Sequence, residues 1–348
     1  MKKLIGMLTL IISIFIVTGC GSSTSGDPHS AGSSQSGDGN SEKFEFVYSN
    51  SQPIDHPMNL AGQWMADELE ARTDGKITMK LYPDSVLGGP EELVQGLRNG
   101  DVDLAWITSA VLSQYNKTFN LFNASYLIED KDHYVNIFFD RNSEVMKEMD
   151  QLIEEADIGS QMVGILGGGL RHAFNGARPV DKPEDLKGIK MRIQDSEVYG
   201  LVWSTLGANP VPLAWSEIFT GLQSAVVDGA ESSLSAYETG GLYEVAPYLS
   251  LTGHEFNVGP MMMSNKTYEK LPEDLQEIVL EVAFEAGKKS TEFWWAEDEL
   301  ILDRLKDDIE VSIIDVSEFA ALTRPVLEEV AVDNGAEGLY ELIQAAKK

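Results

Sequence analysis

An α/β fold with largely parallel sheets is the class this sequence predicts, and three observations predict it. Short alternations of apolar and polar residues recur along the chain. Segments with helical spacing of apolar residues separate them. About 300 residues beyond the N-terminal region give enough length for two lobes. No internal repeat of fixed period and no sustained heptad pattern competes with that reading.

The chain opens on a segment to be set apart from the fold. Two lysines, an apolar stretch from Leu4 to Val17 and small residues leading to Cys20 form a secretory signal, residues 1–19, too short and wrongly flanked for a stable transmembrane helix. Val17-Thr18-Gly19-Cys20 also resembles a bacterial lipobox, in which cleavage leaves Cys20 as the lipid-bearing first residue. Cys20 is the only cysteine, so no internal disulfide is possible, and lipidation accounts for an unpaired thiol in an exported chain. Two acyl chains meet the condition for lasting attachment to a membrane. From Gly21 to Glu42 almost no residue is apolar. Residues 20–42 are therefore expected to be a lipidated cysteine on a flexible tether with an r.m.s. reach of roughly 25 Å.

The elements of the folded part follow in order. "EFVYS" near Phe46 reads as the first strand, and Leu60, Ala61, Trp64, Met65 and Leu69 recur at helical spacing after it. "KITMKLYP" alternates Ile77, Met79 and Leu81 as a strand does. "PEELVQGLRNG" reads as a helix with Pro90 at its first position and Gly100 at its end. "VDLAWI" from Val102, "MVGILG" from Met162, "GIKMRI" from Gly188 and "EVSIID" from Glu310 read as further strands. In "GIKMRI", Ile189, Met191 and Ile193 turn one way, so Arg192 leaves the strand on the opposite face. Pro272 to Asp308 has helical composition without a loop apart from Gly287. One helix of about 35 residues would span roughly 50 Å and brace two lobes; two shorter helices broken near Gly287 are the alternative.

Charge and motifs exclude several functions. With 26 Lys and Arg against 56 Asp and Glu the formal charge is −30, and no basic patch suited to nucleic acid is present. An anionic ligand must therefore be held by a few locally placed cations. The five histidines are scattered without zinc-ligand spacing, and no cysteine can join them, so neither a metal nor a cofactor is expected. "GILGGGLRH" fails the dinucleotide fingerprint because His172 occupies the third glycine position counted from Gly167. Walker A, G-x-S-x-G and EF-hand patterns are absent. A solute receptor is the leading reading; an exported enzyme acting on a carboxylate substrate is the rival class, since a Ser or Asp site need leave no local motif.

Several blocks resemble the extracytoplasmic solute-binding proteins of tripartite ATP-independent periplasmic (TRAP) transporters, of the dicarboxylate-receptor (DctP) type. They include the Thr73-x-Gly75-Lys76 turn, Pro83-x-Ser85-x-Leu87-Gly88, and Gly100-x-x-Asp103. They also include "PVDKPEDLKGIKMRIQDSEVYGLVWSTLGANPVPLAWSEIFTGLQSAVVDGAESS" and "SNKTYEKLPEDLQEIV". The likeness runs from about Phe44 to Val330. It implies a two-lobed periplasmic-binding-protein-like α/β fold with a long helix bracing both lobes: 43–166 plus about 255–300 as lobe 1, and 167–254 plus about 301–348 as lobe 2. It further implies a ligand closed between the lobes by hinge rotation.

The resemblance assigns the ligand carboxylate to Arg192, the arginine in the strand after "DLKG", whose planar guanidinium can grip both oxygens. Arg171 is implied as a second ligand-facing cation, in preference to the nearby His172 and Arg178, with Asn175 from the same segment. Where many members carry Gln-Glu-Asn this chain has Ala230-Glu231-Ser232-Ser233, so Ser232 takes the asparagine's place with a shorter reach and Glu231 is a further candidate. Trp215, Asn209 and Glu91 complete the expected ligand-binding set, with Asn50 and His56 as lesser candidates. Ala124 replaces a usual proline. The implied function is a lipid-anchored, extracytoplasmic, monomeric receptor that hands a small organic acid to the TRAP permease subunits without chemistry on it. A hexuronate or aldonate is expected as ligand, with a C4-dicarboxylate as the alternative.

Overall fold

A computed structural model describes residues 43–347. The expected signal segment 1–19, Cys20 and the rest of the tether to residue 42 lie outside the described residues. Among the described residues nine strands form one mixed sheet: β1 (Phe44–Ser49), β2 (Ile77–Tyr82), β3 (Leu104–Trp106), β4 (Ser160–Asn175), β5 (Lys190–Ile193), β6 (Asn209–Pro212), β7 (Gly229–Ser233), β8 (Tyr248–Ser264) and β9 (Glu310–Ser312). The order is β2-β1-β3-β8-β4-β7-β5-β6, with β9 against β8.

The two ends of this sheet are parallel, as expected, and its middle is not. β1 pairs in parallel with β2 and β3, and β5 with β6 and β7. The intervening helices Pro57–Arg72 and Glu197–Thr205 supply the crossovers that parallel neighbours need. Between the two parallel sets run β4 and β8, of 16 and 17 residues, antiparallel to each other and to their outer neighbours. Met261–Met263 of β8 pairs with β3, while Arg171–Asn175 of β4 pairs with β7. Register shifts interrupt the β4–β8 ladder between Gly167 and Leu170 and again between Arg171 and Ala173. A bulge locally bends and twists its strand; here Gly168, at φ +102°, takes a conformation that L side chains rarely adopt.

Three of the strands give no alternating signal, for identifiable reasons. β8 is buried on both faces, so polar and apolar residues follow one another without period, and Gly253, Gly259 and Pro260 lie within it. β7 is fully buried although it reads "GAESS". β6 carries two prolines at the sheet edge, where a missing donor is tolerated.

Glu273–Leu305 is one unbroken helix of 33 residues. Leu275, Val279, Val282, Ala283 and Ala286 pack with Phe46, Tyr48 and Leu104 of the first parallel set and with Met261 of β8, whereas Ile301 and Leu305 pack with Phe174, Ile218 and Tyr237 of the other half. Gly287 does not break it. A Cβ there would collide with the Ile165 carbonyl, and one at Gly164 would sit 2.7 Å from the Ala283 carbonyl. Both glycines let helix and sheet approach backbone to backbone, an advantage that offsets the roughly 1 kcal/mol helix penalty of glycine. Among the described residues no helix is long and apolar enough to cross a membrane.

Candidate functional site

A cavity of about 660 Å³ opens where the ends of several strands meet the helix starts, within the usual range for small-molecule sites. Arg192, Arg171, Ser232, Trp215 and Glu91 line it; Asn175, Glu231 and Asn209 do not. The five come from five separate elements of the chain.

Arg192 leaves β5 opposite Met191 and Ile193, whose side chains are buried in the core, and is itself 3% exposed. Its Nε donates to the Leu213 carbonyl at 2.8 Å, and its guanidinium carbon stands 5.9 Å from the Trp215 ring centroid. That bond fixes the fork by its root. Among the described residues its terminal nitrogens have no hydrogen-bond partner and the side chain has no ion pair. Burial, opposed by the charge of Glu231 and reinforced by that of Arg171, pushes its pKa down to about 10, still a full cation at neutral pH.

Arg171 is placed differently. On β4, at 5% exposure, it donates from Nε to Glu231 Oε2 at 2.6 Å and from Nη2 to Oε1 at 2.7 Å, a bidentate pair across the β4–β7 ladder. Its Nη1 makes no hydrogen bond among the described residues. Burial opposes its charge, but Glu231, Tyr199 and Glu255 outweigh it and the pKa is raised. Burial likewise works against ionised Glu231, yet Arg171 and His254 bring that carboxyl down to about 2.

Behind this pair lies a polar cluster closed to the cavity. Thr252 Oγ1 accepts from Ala173 N–H and lies 2.9 Å from His254 Nδ1, which turns the other ring nitrogen, Nε2, towards Glu231. That nitrogen stands 3.4 Å from Glu231 Oε2, too poorly directed for a full hydrogen bond. Burial lowers the His254 pKa and so disfavours the charged ring, although Glu231 opposes this. Glu255 accepts from Tyr199 Oη at 2.8 Å and lies 3.9 Å from Arg171 Nε. Burial, opposed by Arg171 and reinforced by the charge of Glu231, pushes it up to about 8.

The remaining expected residues divide between roles. Ser232 on β7 lines the cavity together with Arg171. Glu91 follows Pro90 in the first turn of the helix Pro90–Asn99, where a carboxylate is favoured by the helix dipole. Asn175 instead closes a turn, its Oδ1 accepting from Ala177 and Arg178 N–H at 2.8 and 2.9 Å. Asn209 opens β6 and is exposed. Asn50 bonds Asn59 and Gln52, whereas His56 lines the cavity and caps the helix Pro57–Arg72 through Nδ1.

Sequence reasoning missed Gln52, Asn257 and Trp294, which also line the cavity. Among the described residues Gln52 Oε1, His56 Nε2 and Trp294 Nε1 have no hydrogen-bond partner, and a buried polar group left unsatisfied costs about 1–3 kcal/mol. Only the junction of distant segments reveals them: Trp294 sits at the site because Gly169 of the glycine run leaves room for its indole. Among the described residues no His, Cys, Asp and Glu group has the makings of a metal site.

A receptor that holds a small solute between two lobes is the class of protein this fold and cavity define. The profile of the bacterial extracellular solute-binding proteins, family 7 (DctP), matches residues 48–333. The chain belongs to that family, whose members are receptors of TRAP transporters. It is 31% identical over 285 residues, 80% of this chain and 84% of its relative, to a solute-binding protein of Sulfitobacter sp. NAS-14.1. It is 26% identical over 266 residues, 76% of this chain and 79% of that one, to the 2,3-diketo-L-gulonate-binding periplasmic protein YiaO of Escherichia coli K12. In structure it is similar to a TRAP periplasmic solute-binding protein from Pseudomonas putida F1 with bound D-glucuronate, at 28% identity and a TM-score of 0.81, covering 87% of this chain and 98% of that one.

Proposed function

We propose that this receptor captures a sugar acid, a hexuronate or aldonate, by clamping its carboxylate on Arg192. The observation that carries the reading is a buried guanidinium in a cavity wall with its root fixed and its terminal nitrogens unpartnered. A bare cation in such a place is costly unless a guest satisfies it. The cavity volume suits a six-carbon acid with room to spare, and the shorter Ser232 adds to that room. D-glucuronate and 2,3-diketo-L-gulonate, held by two of the three named relatives, are both sugar acids.

The finer parts of the reading follow from the same picture. Arg171, Ser232, Trp215 and Glu91 contact the ligand from the walls, while Asn175, Glu231 and Asn209 shape the site from outside it. Lobe 1 comprises 43–166 with about 255–300, and lobe 2 comprises 167–254 with about 301–348; the register shift at Gly167–Leu170 supports that division. The receptor acts as a monomer, performs no chemistry on its ligand, is anchored outside the cell membrane through lipidated Cys20, and delivers to the permease subunits. Thermal melting over a panel of sugar acids and dicarboxylates tests the ligand class. A true ligand at 100 times its Kd adds about 2.7 kcal/mol of stability, and a panel in which no sugar acid shifts the melt overturns the reading. Mass measurement of the mature protein tests the anchor: an unmodified Cys20 sinks it.

A further inference from the structure

We infer that the cavity is built for a singly charged acid, and that Glu231 sets this limit by cancelling Arg171, so that a second carboxylate on an otherwise similar ligand meets no free cation. The inference rests on the sugar-acid reading above and adds to it the charge of the guest and the residue that fixes it.

Counting charges around the cavity carries the argument. Its described lining holds two cations, Arg171 and Arg192, and four carboxylates, Glu91, Glu92, Asp195 and Glu217. Arg171 is engaged on two nitrogens by Glu231, at 2.6 and 2.7 Å, with both side chains buried. The pair's other titratable neighbours are His254, buried 3.4 Å from Glu231 Oε2, and Glu255, buried 3.9 Å from Arg171 Nε, and burial disfavours the charged form of both. The Arg171–Glu231 pair is therefore close to zero in net charge, and Arg171 offers the cavity a donor without an uncompensated charge. Only Arg192 remains as a cation without a carboxylate partner among the lining residues.

The unpartnered polar atoms point the same way. His56 Nε2 and Trp294 Nε1 are uncharged donors, since His56 Nδ1 already accepts from Met58 N–H. Gln52 Oε1 is an acceptor. An acceptor suits a hydroxyl, which can donate to it, and repels a carboxylate, which cannot. One carboxylate on Arg192 and a hydroxylated, uncharged remainder is the ligand that leaves the fewest of these groups unsatisfied. Glu231 touches no ligand in this scheme; it acts through Arg171 and is a positioning residue.

Calorimetric titration of the purified full-length chain, at one near-neutral pH and fixed salt, compares D-glucuronate, D-galacturonate and D-galactonate with galactarate, D-glucarate and succinate. Galactonate and galactarate share a carbon chain and differ in one terminal carboxylate. The expected result is that the best monoanion binds about 10- to 100-fold more tightly than any dianion. Glu231→Gln, which unmasks Arg171, narrows that ratio by about tenfold or more, whereas the double variant Arg171→Gln/Glu231→Gln, which removes both charges, keeps the parental ratio. A dianion that binds as tightly as the best monoanion overturns the inference and leaves the receptor reading standing. A folded Glu231→Gln protein with the parental ratio overturns the role of Glu231. Should that variant fail to melt cooperatively, the double variant decides, and equal affinity for both charge classes in it sinks the assignment. If none of the six acids binds, the sugar-acid reading falls and the inference with it.

Discussion

Arg171 and Arg192 line one cavity from β4 and β5, the strands on either side of β7, and are almost equally buried. Their surroundings differ completely. Arg171 is held by the carboxylate of Glu231 and flanked by Glu255, while Arg192 has one backbone carbonyl and an aromatic face. The pair teaches that burial of a cation says little until its partners are counted: one guanidinium is part of the fold, the other is held ready.

The contrast can be broken by substitution, and the largest effect falls on the fold. Arg171→Met leaves Glu231 as an uncompensated buried charge, and is expected to destabilise the free protein by about 3–5 kcal/mol in denaturant unfolding. A loss under about 1 kcal/mol would show that the two arginines are equivalent after all. Arg192→Met, by contrast, should leave the free protein as stable or slightly more stable. It should cost about 1.5–3 kcal/mol of affinity for the sugar acid, read by calorimetry; a variant that binds normally removes Arg192 from the site.

Protonation sharpens the same comparison. The folded pKa of Glu255 is raised from 4.5 to about 8, so the stability it contributes is full below about pH 4.5 and is lost as pH rises towards 8. Glu255→Gln should flatten that fall; melting curves with parental pH dependence would separate Glu255 from the Arg171 side. The smallest effect is expected at Trp215→Ala. Loss of the ring beside Arg192 should weaken binding by about 0.5–1 kcal/mol and leave the melt of the free protein unchanged.

Much of this was legible in the chain, and the rest was hidden for physical reasons. Alternation in "GIKMRI" placed Arg192 on the face opposite Met191 and Ile193, and the family blocks located Ser232, Trp215 and Glu91, all of which line the cavity. What alternation cannot see is a strand buried on both sides, so β7 and β8 escaped it, and with them the antiparallel middle of the sheet. The continuity of the long helix was undecidable locally, because Gly287 has the same letter whether it breaks a helix or lets a carbonyl approach. The masking of Arg171 by Glu231 depends on cross-strand pairing of residues 60 apart in sequence, which no local pattern encodes.

The two long strands β4 and β8 carry a further meaning for how such a molecule can be altered. Because each runs from one parallel set into the other, there is no position at which the protein can be divided into exchangeable modules. Cutting between the sets would strip either half of its innermost strands and leave a raw backbone edge open to aggregation. Specificity in this scaffold has to change by substitution in place, residue by residue around the cavity, and not by swapping one half for another.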